Sequence, residues 1–371
     1  MSDEVRPRRL EESVESLTGA DLPFRTPDLP GIGGRIRVRP EDFRVTEIPA
    51  YEPAGRGPHL YVSVTRTGHT TPEVADLLAQ ALNADKGAVG YAGLKDKRAC
   101  TTQTFSVLAS NGFVPDEEWV ARRLAAETPL QVNWMRCHGN KLRTGHLRGN
   151  HFDILVRYPD APPEEAVARA QAIADALKRD GLPNWFGPQR FGHEGQNVIK
   201  GWRIVHRGWR AHRRWLHKLL LSAYQSWLCN RYLSLRMHEG LLDCCLVGDV
   251  ARKHETGGMF LVEDAEADSR RQVAGEISFT APMYGHKMWA AEGVAGELEE
   301  RILTEQELVG FNWRRGKVTG TRRTGRLVPS DLSVRREADG IRLSFSLPKG
   351  GYATAVLREV MKMGNPDLAE D

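Results

Sequence analysis

The sequence predicts a mixed fold of strands and helices, α/β in the broad α+β sense, and three observations support that class. Segments in which apolar and polar residues alternate sit beside segments with helical spacing, so neither an all-α nor an all-β chain accounts for the pattern. At 371 residues the chain suffices for about two or three domains. Its 40% apolar content places no limit on the size of a core.

The elements follow in order. The chain is charged and proline-dotted through residue 30, a loosely held lead-in. Arg35-Ile36-Arg37-Val38-Arg39 alternates with period two, which predicts a strand with three arginines on one face. Leu60, Val62 and Val64 share a face of a second strand. Thr71 and Pro72 supply a helix cap and first helical position, and Val74, Leu77, Leu78, Ala81 and Leu82 repeat at helical spacing behind them. Residues 87–91 read as a short strand entering a polar loop, and residues 104–108 as the strand that leaves it. Another helix runs from Pro163 to about Arg179, with Glu164 and Glu165 in its first turn, Lys178 and Arg179 in its last, and Gly181 as its stop.

Charge divides the later part of the chain. From Gly195 to His238 there is no acid, yet there are nine basic residues, interleaved with Trp202, Trp209, Trp215, Tyr224, Trp227 and Tyr232. Residues 130–151 and 308–330 are likewise acid-free, whereas residues 263–307 hold eleven acids and four bases. This predicts a strongly polarised molecule behind a net charge of only +4. Leu216, Leu219, Leu220, Ala223 and Trp227 repeat as a helix core, but the cations are more than solubility requires. Lys and Arg that neutralise a phosphate backbone, beside aromatic rings that accept unstacked bases at about 1–3 kcal/mol each, point to nucleic acid.

Other chemistries find no support. Residues 1–17 show no secretory signal and no apolar run reaches membrane length, so a cytoplasmic protein with no membrane partner is expected. Five cysteines without a Cys-x-x-Cys spacing read as reduced thiols, and no His/Cys spacing suggests a metal. Gly31-Ile32-Gly33-Gly34 lacks the third glycine of a dinucleotide fingerprint, because position 36 is Ile. Residues 310–318 are one residue too long for a phosphate loop and end on Val318 instead of a hydroxyl.

The chemistry concentrates in Tyr91-Ala92-Gly93-Leu94-Lys95-Asp96-Lys97-Arg98-Ala99-Cys100-Thr101-Thr102-Gln103. Three cations surround the carboxylate of Asp96, which favours its charged form and suits it to act as nucleophile or base. By composition alone the same loop also reads as a surface turn whose aspartate balances its lysines.

The motif Tyr-Ala-Gly-Leu-Lys-Asp-Lys-Arg-Ala followed by Thr-Thr-Gln closely resembles the catalytic motif of the TruD family of tRNA pseudouridine synthases. Four further stretches are similar to that family's signatures, in the same order: Pro40-Glu41-Asp42-Phe43 with Val45 and Glu47, Lys141-Leu142-Arg143 through Gly149-Asn150-His151-Phe152, residues 181–192, and Gly351-Tyr352-Ala353-Thr354 through Leu357-Arg358-Glu359. In residues 181–192, Trp185 stands where tyrosine is usual. The resemblance therefore covers nearly the whole chain.

That resemblance implies isomerisation of a uridine in tRNA, uridine-13 in bacterial members, with Asp96 as nucleophile and no metal, nucleotide or flavin cofactor. It implies that Phe43, Phe152 and Tyr352 line a pocket for the flipped base, that Asn150 bonds the uracil edge, and that Arg37 pairs with Asp96 or with a phosphate. Lys95, Lys97 and Arg98 of the loop, and Arg210, Arg213 and Arg214 of the long basic segment, are then the expected contacts to tRNA. The implied architecture is a lead-in of residues 1–34, a discontinuous pseudouridine synthase core of residues 35–180 and 328–371 with a mixed, largely antiparallel sheet, and an inserted α/β domain of residues 181–327. Two other functions account for part of the pattern: a noncatalytic tRNA-binding protein or RNA chaperone, and a metal-independent ribonuclease using Asp96 with His69 or His193. No obligate protein partner is implied.

Overall fold

The computed structural model describes residues 22–108, 118–120, 122–123, 130–314, 316–364 and 366. Most of the expected lead-in, residues 1–21, and Arg315 of the last basic segment lie outside the described residues. The chain divides into two compact units, one of Ile32–Ala174 with Pro329–Gly351, the other of Asp175–Val328 with the described parts of Met1–Gly31 and Tyr352–Leu368. The strands, in chain order, are β1 (Phe43–Pro49), β2 (His59–Arg66), β3 (Gly90–Tyr91), β4 (Cys100–Leu108), β5 (Gln131–His138), β6 (Leu147–Arg157) and β7 (Leu182–Pro183). They continue with β8 (Val250–Lys253), β9 (Met259–Leu261), β10 (Ile277–Met283), β11 (Thr321–Thr324), β12 (Arg326–Leu327), β13 (Ser333–Glu337) and β14 (Gly340–Pro348).

The first unit is built on an eight-stranded sheet of order β13-β14-β6-β1-β4-β2-β5, with β3 also paired to β4. Among the described residues only β1 and β4 run parallel in this sheet; the other pairs are antiparallel. The sheet is therefore mixed and largely antiparallel, as expected. Register decides which side chains share a face. Val45 lies opposite Phe152 and Thr101, Glu47 opposite Asn150, Phe345 opposite Phe152, and Arg66 opposite Thr101. Because alternate residues point the same way, one face carries Phe43, Val45, Glu47, Asn150, Phe152, Thr101, Gln103 and Arg66.

Part of that face is closed by the helix Thr71–Ala81. Its Val74 and Leu78 pack on Leu60, Val62, Val64, Phe105 and Val107, all buried. Each such side chain contributes about 1.5–3 kcal/mol by leaving water. The cap lies one residue earlier than expected: the Thr70 hydroxyl accepts from Glu73 N at 3.4 Å, and Thr70 N donates to Glu73 Oε2 at 2.6 Å. Thr71 is fully buried instead, and its hydroxyl serves the site described below.

The strand expected at residues 35–39 does not form. Arg35 makes a single bridge with Arg157, and Arg37 takes the left-handed backbone, φ +57°. One such residue breaks the alternation, so the three arginines do not share a face. The strand expected at residues 87–91 shrinks to β3, because Lys86–Ala88 closes as a 3₁₀ turn. Conversely, β4 starts at Cys100, four residues before the apolar run that announced it.

In the second unit, β11-β10-β8-β9 form an antiparallel sheet and β12 pairs with β7. The helices Gln196–Arg207 and Arg214–His238 pack together, and Leu220, Ala223 and Trp227 are buried as their spacing predicts, although Leu216 and Leu219 are only half-buried. The helix Pro163–Asp180 stops at Gly181, whose φ is +64°.

Part of the basic charge is taken up inside the second unit. Arg236 is fully buried, bonding Asp249 Oδ1 at 2.8 Å and the Cys244 carbonyl at 2.8 Å, and Arg322 and Arg326 are buried too. Arg322 pairs with Glu299, and Arg231 with Glu305, both from the acidic stretch. Two acids of the acidic stretch thus neutralise two cations of the basic segments within one unit. Among the described residues no helix is long and apolar enough to cross a membrane.

Candidate active site

Asp96 lies in the loop between β3 and β4, with its side chain 26% exposed. The two carboxylate oxygens are held separately. Arg98 N donates to Oδ1 at 2.9 Å, and Arg37 Nη1 lies 2.9 Å from Oδ2. The same Arg37 guanidinium stands 4.1 Å from the centre of the Phe43 ring, so one side chain joins the carboxylate to an aromatic face. The left-handed backbone at Arg37 is a local strain of the kind that concentrates at functional sites.

The loop rests on buried polar groups. Lys95 Nζ lies 2.7 Å from Glu47 Oε2, with side-chain exposures of only 5% and 3%. The Thr71 hydroxyl accepts from Lys95 N and from Arg66 Nη2, each at 2.9 Å, and donates to Gln103 Oε1 at 3.1 Å. Gln103 Nε2 donates to the Gly93 carbonyl at 2.6 Å and to Glu47 Oε2 at 3.4 Å. Arg66 is 1% exposed, and burial lowers its guanidinium to about 10, an effect the nearby Glu47 opposes. Lys95, expected to meet RNA, is therefore turned inward; Lys97 and Arg98 are exposed.

Phe43 and Phe152 are buried on the shared sheet face, and Phe152 stacks on Phe345 with centroids 5.5 Å apart. Asn150 sits beside Glu47 in that face. Its Oδ1 is buried and has no donor in reach among the described residues. Buried acceptors are nearly always paired, so this atom is suited to receive a donor from outside the chain.

Tyr352 belongs to the second unit, where it precedes the helix Ala353–Met361. Its ring lies 5.9 Å from Phe186 and 5.6 Å from the Arg323 guanidinium, which is itself 3.9 Å over Phe186. Arg210, Arg213 and Arg214 are exposed in the turn between the helices Gln196–Arg207 and Arg214–His238, flanked by Trp209, 41% exposed, and Trp215, 60% exposed. His69 Nδ1 turns to the Thr67 carbonyl at 3.0 Å, and His193, in the second unit, is 89% exposed beside Glu194. The roles of Arg66, Thr71, Gln103, Phe186 and Arg323 escaped the sequence reading. The only available signals were that Thr101-Thr102-Gln103 and residues 181–192 belong to the quoted motifs.

Comparison with known proteins adds independent observations. The family model described as tRNA pseudouridine synthase D (TruD) matches residues 21–214 and 203–360. A tRNA pseudouridine synthase D from an Anaeromyxobacter species is 45% identical over 361 residues, covering 95% of this chain and 99% of that protein. The Thermus thermophilus protein of the same name is 43% identical over 348 residues, covering 94% of each. A crystal structure of the Methanosarcina mazei protein assigned as tRNA pseudouridine synthase D superimposes with a TM-score of 0.72 at 25% identity, over 95% of this chain and 98% of that one.

Proposed function

The chain belongs to the tRNA pseudouridine synthase D (TruD) family, and from that premise we propose that it converts a uridine of tRNA, uridine-13, to pseudouridine in the cytoplasm, with Asp96 as nucleophile. The observation that carries this reading is the carboxylate of Asp96, partly exposed and fixed from two sides by Arg37 and the Arg98 N–H. The reaction is an isomerisation. The bond from N1 of uracil to C1′ of ribose breaks, a bond from C5 to C1′ forms, C5 gives up its proton, and N1 gains one. No outside reactant is consumed, and the reading assigns the chemistry to side chains, without metal, nucleotide or flavin. Asp96 acts by attack on C1′, by attack on C6, or by assisting elimination, and is regenerated in each case.

The target must leave the base stack, at a cost of a few kcal/mol. In this reading Phe43 and Phe152 provide aromatic surface for it, and Asn150 bonds its edge. Lys97, Arg98, Arg210, Arg213 and Arg214 meet phosphates. The discontinuous core of residues 35–180 and 328–371 around an insert of 181–327 is part of the same proposal.

The test uses tRNA carrying tritium at C5 of uridine. Asp96→Asn is expected to abolish tritium release and leave tRNA affinity nearly intact, with pseudouridine mapping to position 13 for the wild type. Full activity in the variant would overturn the role of Asp96, cleavage of the strand would indicate a nuclease, and tight binding without release by the wild type would indicate a chaperone.

A further inference from the structure

The loop bearing Asp96 contains a lysine that composition assigns to RNA and the fold assigns elsewhere. Lys95 is covalently next to Asp96, yet its ammonium lies 2.7 Å from Glu47 Oε2 with 5% side-chain exposure. Glu47 in turn is the register partner of Asn150 across β1 and β6. The buried pair therefore connects the residue preceding the nucleophile to the strand position of the orphaned acceptor. Gln103 and Thr71 fix the loop backbone on either side of Leu94, through the Gly93 carbonyl and the Lys95 N–H.

Burying two charges costs desolvation, and a well-packed apolar pair of the same size is commonly as stable or more so. Stability alone thus gives little reason for this pair. We propose that Lys95 and Glu47 are positioning residues, a buried brace that sets the separation between the Asp96 carboxylate and Asn150, and that Lys95 does not contact RNA. The proposal rests on the isomerase reading above for what is positioned, but the brace itself is a property of the loop.

The variants are Lys95→Met, which keeps length and removes charge, and Lys95→Met with Glu47→Gln, which also neutralises the carboxylate while keeping an acceptor for the Thr104 N–H. Three quantities are read: tritium release from tRNA at saturation, tRNA affinity against salt, and amide hydrogen exchange of residues 95–98. In Lys95→Met, kcat is expected to fall about a hundredfold, the loss that misplacing a reacting group by about 1 Å brings. Affinity and its salt slope should be unchanged, and the Lys95 and Arg98 amides should exchange faster. The double variant should regain part of the lost thermal stability while remaining as slow, a result that a merely structural pair would not give.

A flatter salt slope in Lys95→Met with kcat kept would return Lys95 to the phosphate contacts and overturn the brace. Recovery of kcat together with stability in the double variant would also overturn it, by reducing the pair to packing. If the wild type releases no tritium, the proposed function falls while the exchange measurement still decides the brace; unchanged exchange in Lys95→Met refutes the brace whatever the activity.

Discussion

Asp42 illustrates how a single residue couples the first unit to pH. Burial by itself would raise its carboxyl, but the Arg157 guanidinium, bonded through Nε at 2.8 Å and Nη2 at 2.7 Å, and the Arg39 N–H outweigh burial and hold it below its ordinary 3.8. A carboxyl depressed in the folded state stabilises fully above its unfolded value, and that contribution is lost as pH falls through the folded one. The stability advantage of the wild type over Asp42→Asn should therefore shrink progressively as pH falls through and below the ordinary carboxyl value of 3.8. Denaturant midpoints check this, and a constant difference would contradict it. Residues like these differ in how far the sequence discloses them. Asp96 stands out because its neighbours form a recognisable motif. Lys95, in the same motif, is missorted because its partner Glu47 lies 48 positions away, and no local pattern reports an ion pair across that span. Arg37 is half legible: its charge near Asp96 is expected, but its left-handed backbone depends on the tertiary contact that draws it there.

At the level of elements, amphipathic spacing is read correctly where it decides burial. The helix Thr71–Ala81 and the strand β2 follow their apolar periods, and the helix Pro163–Asp180 follows its terminal charges and its glycine stop. Alternation fails at residues 35–39 because three arginines cannot anchor a face that no neighbouring strand pairs along its length. The turn between the helices Gln196–Arg207 and Arg214–His238 carries a prediction of its own. Arg207, Arg210, Arg213, Arg214 and Lys218 are exposed there, whereas Arg236 at the far end of the second helix is buried. Replacing Arg210, Arg213 and Arg214 together by alanine should weaken tRNA binding and reduce the slope of log affinity against log salt by about 2. An unchanged slope in a binding titration would make these arginines a solvated face and nothing more.

Over the whole molecule, the net charge of +4 conceals a local cancellation within the second unit, where Glu299 and Glu305 receive Arg322 and Arg231. Composition indicates the class and the number of domains, but it cannot reveal which cations are buried, since that depends on which acid the fold delivers. Thiol reactivity reports the same inside-to-outside division. Burial pushes Cys229 and Cys245 up to about 12, while Cys100 and Cys137 are half-exposed. Iodoacetamide at neutral pH should label Cys100 and Cys137 in the native protein and spare Cys229 and Cys245 until denaturant is added. Peptide mass spectrometry reads the order, and early labelling of Cys229 would refute the burial.

Asn150 Oδ1, buried with no donor in reach among the described residues, bears on which pyrimidine the proposed reaction accepts. A buried acceptor left without a donor carries a penalty of about 1–3 kcal/mol. Within the proposed reaction, uracil offers an N–H at N3 and removes the penalty. Cytosine presents a lone pair at N3, so it would be accepted only if the Asn150 amide turned to offer Nδ2. In the proposed reaction, discrimination between the two pyrimidines then depends on the orientation in which the fold holds that amide.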